Sequence, residues 1–335
     1  MANTNSVLPL VLERASTIWP DSMTAADFTP NWEALKALSE NDTARKDFIN
    51  LPDGVDASIV WLDNCDIAVD ESCSNDCTFT GVEAASYKKD LSIDQCIEST
   101  FSVKMDAWRG NAFAMSDAVA VNLNKVMVAH LENVTQKGIA FLNSNDGTNV
   151  YTNGGSWTVD ASGTSIPAAQ WDSTAIFGAL VRAAKKNKFN NPYLISGENL
   201  DQLFFMSQTS AMNGEGKGDA NRIAQMRAYF DLFNVDDVND PDLVTYVMNR
   251  GAVAFLSKGY YGNAPQVLDG NMTRFSVPNR FFPQLIHDVE KYNGCVGGVW
   301  SEHYKVITRF DFELNPLGCT AARTGIMRLI KEAGI

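Results

Sequence analysis

Hydrophobic and polar residues change their period several times along this 335-residue chain. The longest sustained pattern runs from about Asp106 to Asn143 without a proline. Within it Val119, Leu123, Val126, His130, Val134 and Gly138 recur every three or four positions. That spacing marks one face of an α-helix. Asp106 or Ser116 can start the helix, and Asn143-Ser144-Asn145-Asp146-Gly147 ends it with turn residues. If continuous over Ala112 to Asn143 it measures about 48 Å, well over twice the average globular helix. A different period governs Tyr304 to Leu314. There Tyr304, Val306, Phe310, Phe312 and Leu314 alternate with Lys305, Arg309, Asp311 and Glu313, the pattern of a half-buried antiparallel strand.

Shorter patterns fill in the rest. Ala57 to Leu62 and Cys96 to Val103 read as strands bracketing a polar stretch, which predicts a long projecting hairpin. Such a hairpin cannot bury its own faces and must lie on something else. Trp171 to Lys188 reads as a helix capped by Asp172 or Ser173, with Ala175, Ile176, Ala179, Leu180 and Ala183 lining one face. Its terminal Lys185, Lys186 and Lys188 complement the helix dipole. A strand at Tyr193 to Ser196, a helix at Glu198 to Met212, a glycine-rich loop and a short helix at Asp219 to Phe230 follow. Strands at Leu243 to Met248 and Ala252 to Ser257 complete an alternation that implies an α/β subdomain. Met272 to Val277 reads as a further strand. Thr320 to Ala333 reads as a closing helix carrying Ile326, Leu329 and Ile330. The first 50 residues, punctuated by Pro20 and Pro30, read as an extended arm with two helical turns at Trp32 to Leu38.

Charge adds a second layer. The net charge is −13, which excludes a protein that grips nucleic acid phosphates and does not suit an anionic membrane surface. Leu51 to Thr100 holds eleven acids against Lys88 and Lys89, a net −9, so one segment carries most of the excess. No run of about 20 apolar residues is present to span a bilayer. The apolar run Val7 to Leu12 is followed at once by Glu13 and Arg14 and lacks the make-up of a secretory signal. Synthesis and first folding in a cytoplasm are therefore expected.

Candidate chemistry is sparse. Cys73 and Cys77 have the spacing of a metal-ligand pair, but Cys65 and Cys96 do not supply the second pair. Free thiols and late disulfides are the other readings of these cysteines. His130 falls on the apolar stripe of the long helix, as a hydrogen-bonded structural histidine would. No HExxH or GxSxG motif occurs. In the loop Asn213 to Asp219, Lys217 is followed by Gly218 and Asp219 rather than the hydroxyl residue of a phosphate-binding loop. No catalytic residue, cofactor or enzymatic activity is expected; a structural or binding protein is.

The order of arm, projecting hairpin, very long helix, α/β subdomain with glycine loop and alternating strand resembles the major capsid protein of tailed bacteriophages, the Hong Kong 97-like fold. So do the stretches Ala179 to Phe189, Asn191 to Gly197 and Asn249 to Phe255. The resemblance implies an α+β fold with an N-terminal arm at 1–50 and an extended loop at 51–103. It further implies a peripheral domain with its spine helix at 104–170, an axial domain at 171–295, and at 296–335 a return to the peripheral domain with the closing helix. It implies pentamers and hexamers of an icosahedral virion shell enclosing double-stranded DNA, with possible scaffolding, portal and auxiliary capsid partners. Asp63, Asp66, Asp70, Glu71, Asp76, Lys88 and Lys89 become candidate intersubunit contacts, and Gly214, Gly216 and Gly218 candidate axial-loop residues. An encapsulin-like compartment shell and an acidic-residue hydrolase are the alternative readings.

Overall fold

The computed structural model of the chain describes residues 32–40, 57–62, 86–105, 112–147, 150–160, 163–173, 175–196, 224, 228–234, 244–268, 272–296, 298–314 and 324–332. In chain order the first elements are α1 (Glu33–Leu38), β1 (Ala57–Leu62), β2 (Ser86–Leu91), β3 (Gln95–Lys104) and α2 (Ala112–Ser144). Next come β4 (Thr158–Asp160), β5 (Gly163–Ile166), α3 (Ala168–Trp171), α4 (Ala175–Lys186), β6 (Tyr193–Ser196) and β7 (Asp231–Asn234). The last are β8 (Val244–Met248), β9 (Val253–Ser257), β10 (Gln266–Leu268), β11 (Met272–Pro278), β12 (Ile286–Val296), β13 (Val299–Leu314) and β14 (Ile326–Lys331). The chain divides into two compact units.

In the first unit, which includes Ile93–Lys137 and Leu256–Asp311, an antiparallel sheet runs β10-β11-β12-β13-β3. Alternation along β13 follows from its having one covered face. Tyr304, Val306 and Phe310 are buried while Lys305 and Arg309 are partly exposed. The covering element is α2, whose Val119, Leu123 and Met127 pack against Phe275, Val289 and Val306. Full burial of each such aliphatic side chain contributes about 1.5–3 kcal/mol. The stripe expected of the long helix is the buried one: Val119, Leu123, His130 and Val134 are all at most 2% exposed.

The second unit is built on a mixed sheet of order β4-β5-β14-β8-β6-β7. β5 and β14 are parallel, as are β6 and β7, and the remaining neighbours are antiparallel. Helix α4 lays Ile176, Phe177, Leu180 and Ala183 into a cluster with Leu194, Val247 and Leu329. Helix α1 is short, yet Ala34, Leu35, Ala37 and Leu38 are almost completely buried. It comes close to α2 because position 138 is glycine: a Cβ there would lie 2.6 Å from Leu38 Cδ1 and 3.1 Å from Phe312 Cζ. Ser39 Oγ closes α1 by donating to the Lys36 carbonyl.

Three expectations are corrected. The closing helix is a strand: Ile326, Met327 and Leu329 are buried in β14, which pairs with β5 on one side and β8 on the other. A run as short as Ile326 to Ile330 satisfies both periods, and two-sided pairing in the sheet decides it. Second, β1 does not pair with the Cys96 strand. It pairs antiparallel with β2, while β3 pairs with β13. The segment Ser-Tyr-Lys-Lys-Asp-Leu holds two large apolar residues, too few to show its strand character. Third, the strand read at Ala252 to Ser257 does not complete the α/β alternation: β9 pairs with β13, in the sheet that also holds β10, β11, β12 and β3, because strand pairing is set by distant partners and not by order in the sequence. The helix expected at Glu198 to Met212 lies outside the described residues.

Candidate functional site

Five polar side chains form one hydrogen-bonded seam through the first unit. Asn279 Oδ1 accepts from the backbone N–H groups of Phe281 and Phe282, which fixes its amide orientation. Its Nδ2 therefore donates, to the Met127 carbonyl at 3.0 Å and to His287 Nε2 at 3.0 Å. His287 must then carry its proton on Nδ1 and donate it to Thr308 Oγ1, 2.6 Å away. The Thr308 hydroxyl passes its own proton to His130 Nδ1 at 2.7 Å, and His130 Nε2 donates to Ser99 Oγ at 2.8 Å. Every member has one role, and both imidazoles are neutral. Burial lowers His130 to a pKa of about 4. Burial, reinforced by the neighbouring His130, lowers His287 to about 3. The seam joins β3, α2, β12 and β13, and its Asn279 end lies beside a depression of about 480 Å³ lined by Leu123, Met127, Pro278 and Arg280 among others. Both ring nitrogens of each imidazole are taken up by bonds within the seam, which ties these elements together.

Deeper on the same sheet face, Lys291 and Glu302 form an ion pair at 2.8 Å with both side chains only 4% exposed. Tyr304 donates its hydroxyl to the other Glu302 oxygen at 2.7 Å and stacks on Phe101 with centroids 4.9 Å apart. Burial, then the Glu302 charge, raises the Tyr304 pKa well above the phenolic range. No sequence signal marks this pair, because Lys291 occupies a position where strand alternation leads one to expect an apolar residue.

The opposite face of the sheet is partly covered, and most of its charges are paired within it. Arg274 pairs with Glu290 at 3.1 Å, Lys305 with Glu98 at 2.7 Å, and Arg309 with the buried Asp288. Asp288 also accepts from Ser276 Oγ and the Tyr260 N–H. A shallow depression of about 420 Å³ on this face is lined by Thr100, Ser102, Met272, Tyr292 and His303 among others. It contains no nucleophile–base pair and no cluster of acids.

Of the residues singled out from sequence, Lys88 and Lys89 lie in β2, opposite Val60 and Ile59 of β1. Asp63, Asp66, Asp70, Glu71, Asp76, Cys73, Cys77, Gly214, Gly216 and Gly218 lie outside the described residues. Cys96 and Cys295 are exposed free thiols. Among the described residues no group of three or more His, Cys, Asp or Glu is placed to hold a metal ion. No described helix is long and apolar enough to cross a membrane. The β1–β2 ladder pairs with no third strand among the described residues.

A long helix packed on an antiparallel sheet, a mixed α/β sheet and a separate two-stranded ribbon together make the α+β fold of a phage major capsid protein. The chain is similar to a chain of the Cyanophage A-1(L) capsid asymmetric unit, with 13% identity, coverage of 92% of this chain and 95% of that one, and a TM-score of 0.53. Chains of Mycobacterium phage Adephagia (10% identity, 96% and 98% coverage, TM-score 0.48) and Microbacterium phage Oxtober96 (10%, 93% and 94%, TM-score 0.48) also align. No protein-family model matches the sequence, and no curated protein sequence matches it.

Proposed function

We propose that the chain is a major capsid subunit that assembles into pentamers and hexamers of an icosahedral shell around double-stranded DNA. The carrying observation is the fold shared with the Cyanophage A-1(L) capsid chain over almost the full length of both. A second support is physical. A two-stranded sheet is marginal in water, and β1–β2 has no third strand among the described residues, so a neighbouring copy is the natural source of its missing surface. In this reading the protein is a virion component without catalytic activity, and its net charge of −13 keeps packaged DNA from adhering to the inner wall.

Expression of the full chain, with a scaffolding protein where required, followed by size exclusion and negative-stain microscopy, tests this. Capsomers or closed shells are expected. A chain that stays monomeric across concentration, salt and crowding conditions would sink the reading.

A further inference from the structure

The described cations are not treated alike. Lys36, Arg250, Arg274, Lys291, Lys305, Arg309 and Lys331 each hold a carboxylate within ion-pair distance, whereas Lys104, Lys125, Lys137 and Arg280 are exposed at separate places in the sequence with no described carboxylate in range. On α4, Arg182, Lys185 and Lys186 are exposed, and no described carboxylate lies within that distance of them. They sit three and four positions apart, so they crowd one side of a single turn. Like charges at that spacing destabilise a helix. The helix dipole offsets this for the two lysines of the last turn, but Arg182 lies further back, outside the reach of that effect. Arg182 Nε donates to the Gly178 carbonyl, and the Lys185 ammonium lies 5.5 Å from the centre of the Tyr229 ring. Each contact holds its cation in place without neutralising it. A chain of net charge −13 thus keeps three uncompensated positive charges together on a well-packed helix.

We propose that this turn of α4 is the receiving surface for the acidic segment of a second copy of the chain, the stretch around Asp63, Asp66, Asp70, Glu71 and Asp76. The inference rests on the capsid reading and adds to it the surface on which the acidic segment lands. Two observations select this occupant. The stretch Leu51 to Thr100 carries a net −9, a complement to the α4 cluster within the same sequence. On the outer face of the β3–β13 sheet, the other charged surface described, Arg274, Lys305 and Arg309 are paired with Glu290, Glu98 and Asp288, and Lys104 stands there as a single exposed cation and not as a cluster.

The test places a photo-crosslinking residue at Lys186 in the full chain and assembles particles from a mixture of ¹⁵N-labelled and unlabelled subunits. Crosslinked peptides are then identified by mass spectrometry. Mixed-label crosslinks from position 186 to residues 63–85 are expected. In parallel, the variant Arg182→Glu, Lys185→Glu, Lys186→Glu is expected to raise the subunit concentration needed for assembly about tenfold at low salt. Adding Asp66→Lys, Asp70→Lys and Glu71→Lys to it is expected to restore most of that loss. Particles that form normally but crosslink only within one copy, to another protein segment or to nucleic acid overturn the proposal and leave the capsid reading standing; nucleic-acid adducts would assign the cluster to phosphate instead. Absence of capsomers and particles under every condition overturns both.

Discussion

His130 and His287 bond to the same hydroxyl: Thr308 Oγ1 lies 2.7 Å from one Nδ1 and 2.6 Å from the other. Because a hydroxyl has one proton, one imidazole must donate to it and the other accept. Asn279 decides which, by donating to His287 Nε2. The arrangement works only while both rings are neutral.

That condition gives a pH dependence. Both folded-state pKa values, about 4 and about 3, lie below the ordinary 6.5. Between these limits the unfolded chain binds more protons than the folded one, so stability is complete above pH 6.5 and falls as pH is lowered toward 4 and 3. At pH 5 the loss is about 2 kcal/mol for each histidine. Urea unfolding of the subunit at pH 7.5 and pH 5 measures it. His130→Gln is expected to be less stable than the parent at pH 7.5 and to lose less on going to pH 5; an unchanged slope would refute the assignment.

Gly138→Ala should destabilise the second unit by about 1 kcal/mol. The substitution gains roughly 1 kcal/mol of helix propensity, but a Cβ 2.6 Å from Leu38 Cδ1 and 3.1 Å from Phe312 Cζ overpacks a buried junction at a cost of about 1–3 kcal/mol. In a Leu38→Ala background the same change should become stabilising. Denaturant midpoints of the four proteins in this cycle give the coupling.

Glu302→Ala leaves the Lys291 ammonium buried without its counter-charge and should cost about 3–5 kcal/mol. Lys291→Met together with Glu302→Gln should recover much of that, since Gln can still accept the Tyr304 hydroxyl. Equal losses in the single and double variants, compared by thermal unfolding, would show that the ion pair is not what holds this position.

Backbone amides of Ala57–Leu62 and Ser86–Leu91 should exchange with solvent rapidly in isolated subunits and slowly in assembled particles, because the ribbon they form has no third strand among the described residues. Hydrogen exchange read by mass spectrometry separates the two states. Protection that is already complete in the monomer would mean the ribbon does not depend on a neighbour.

Elements with a long, clean period are legible in the amino-acid sequence. The stripe from Val119 to Val134 defines α2 and its covered face, and the alternation of Tyr304 to Phe312 defines β13. Short elements are not legible. Ile326 to Ile330 fits a helix and a strand equally, and only pairing with β5 and β8, brought from distant parts of the chain, resolves it. Strand β2 is hidden because Lys88, Lys89 and Asp90 leave no alternation to read. His130 is recognisable as structural from its place on the stripe, but its partners Thr308 and Ser99 are set by sheet register. The helix dipole accounts for the α4 lysines in one dimension, whereas the isolation of Arg182, Lys185 and Lys186 from carboxylates is a fact of three.

The position of β14 in the middle of its sheet has a consequence for the order of events during synthesis. Strands β4 to β8 are made long before Ile326–Lys331 emerges, and until then β5 and β8 each present an unpaired edge with no strand between them. A nascent subunit therefore carries two half-sheets that any other strand could join, including those of sibling chains made nearby. The last strand acts as a plug that converts a sticky intermediate into a unit fit to meet its neighbours. The moment at which the chain becomes competent for ordered association is thus set by the arrival of β14, which is made after both of its partners.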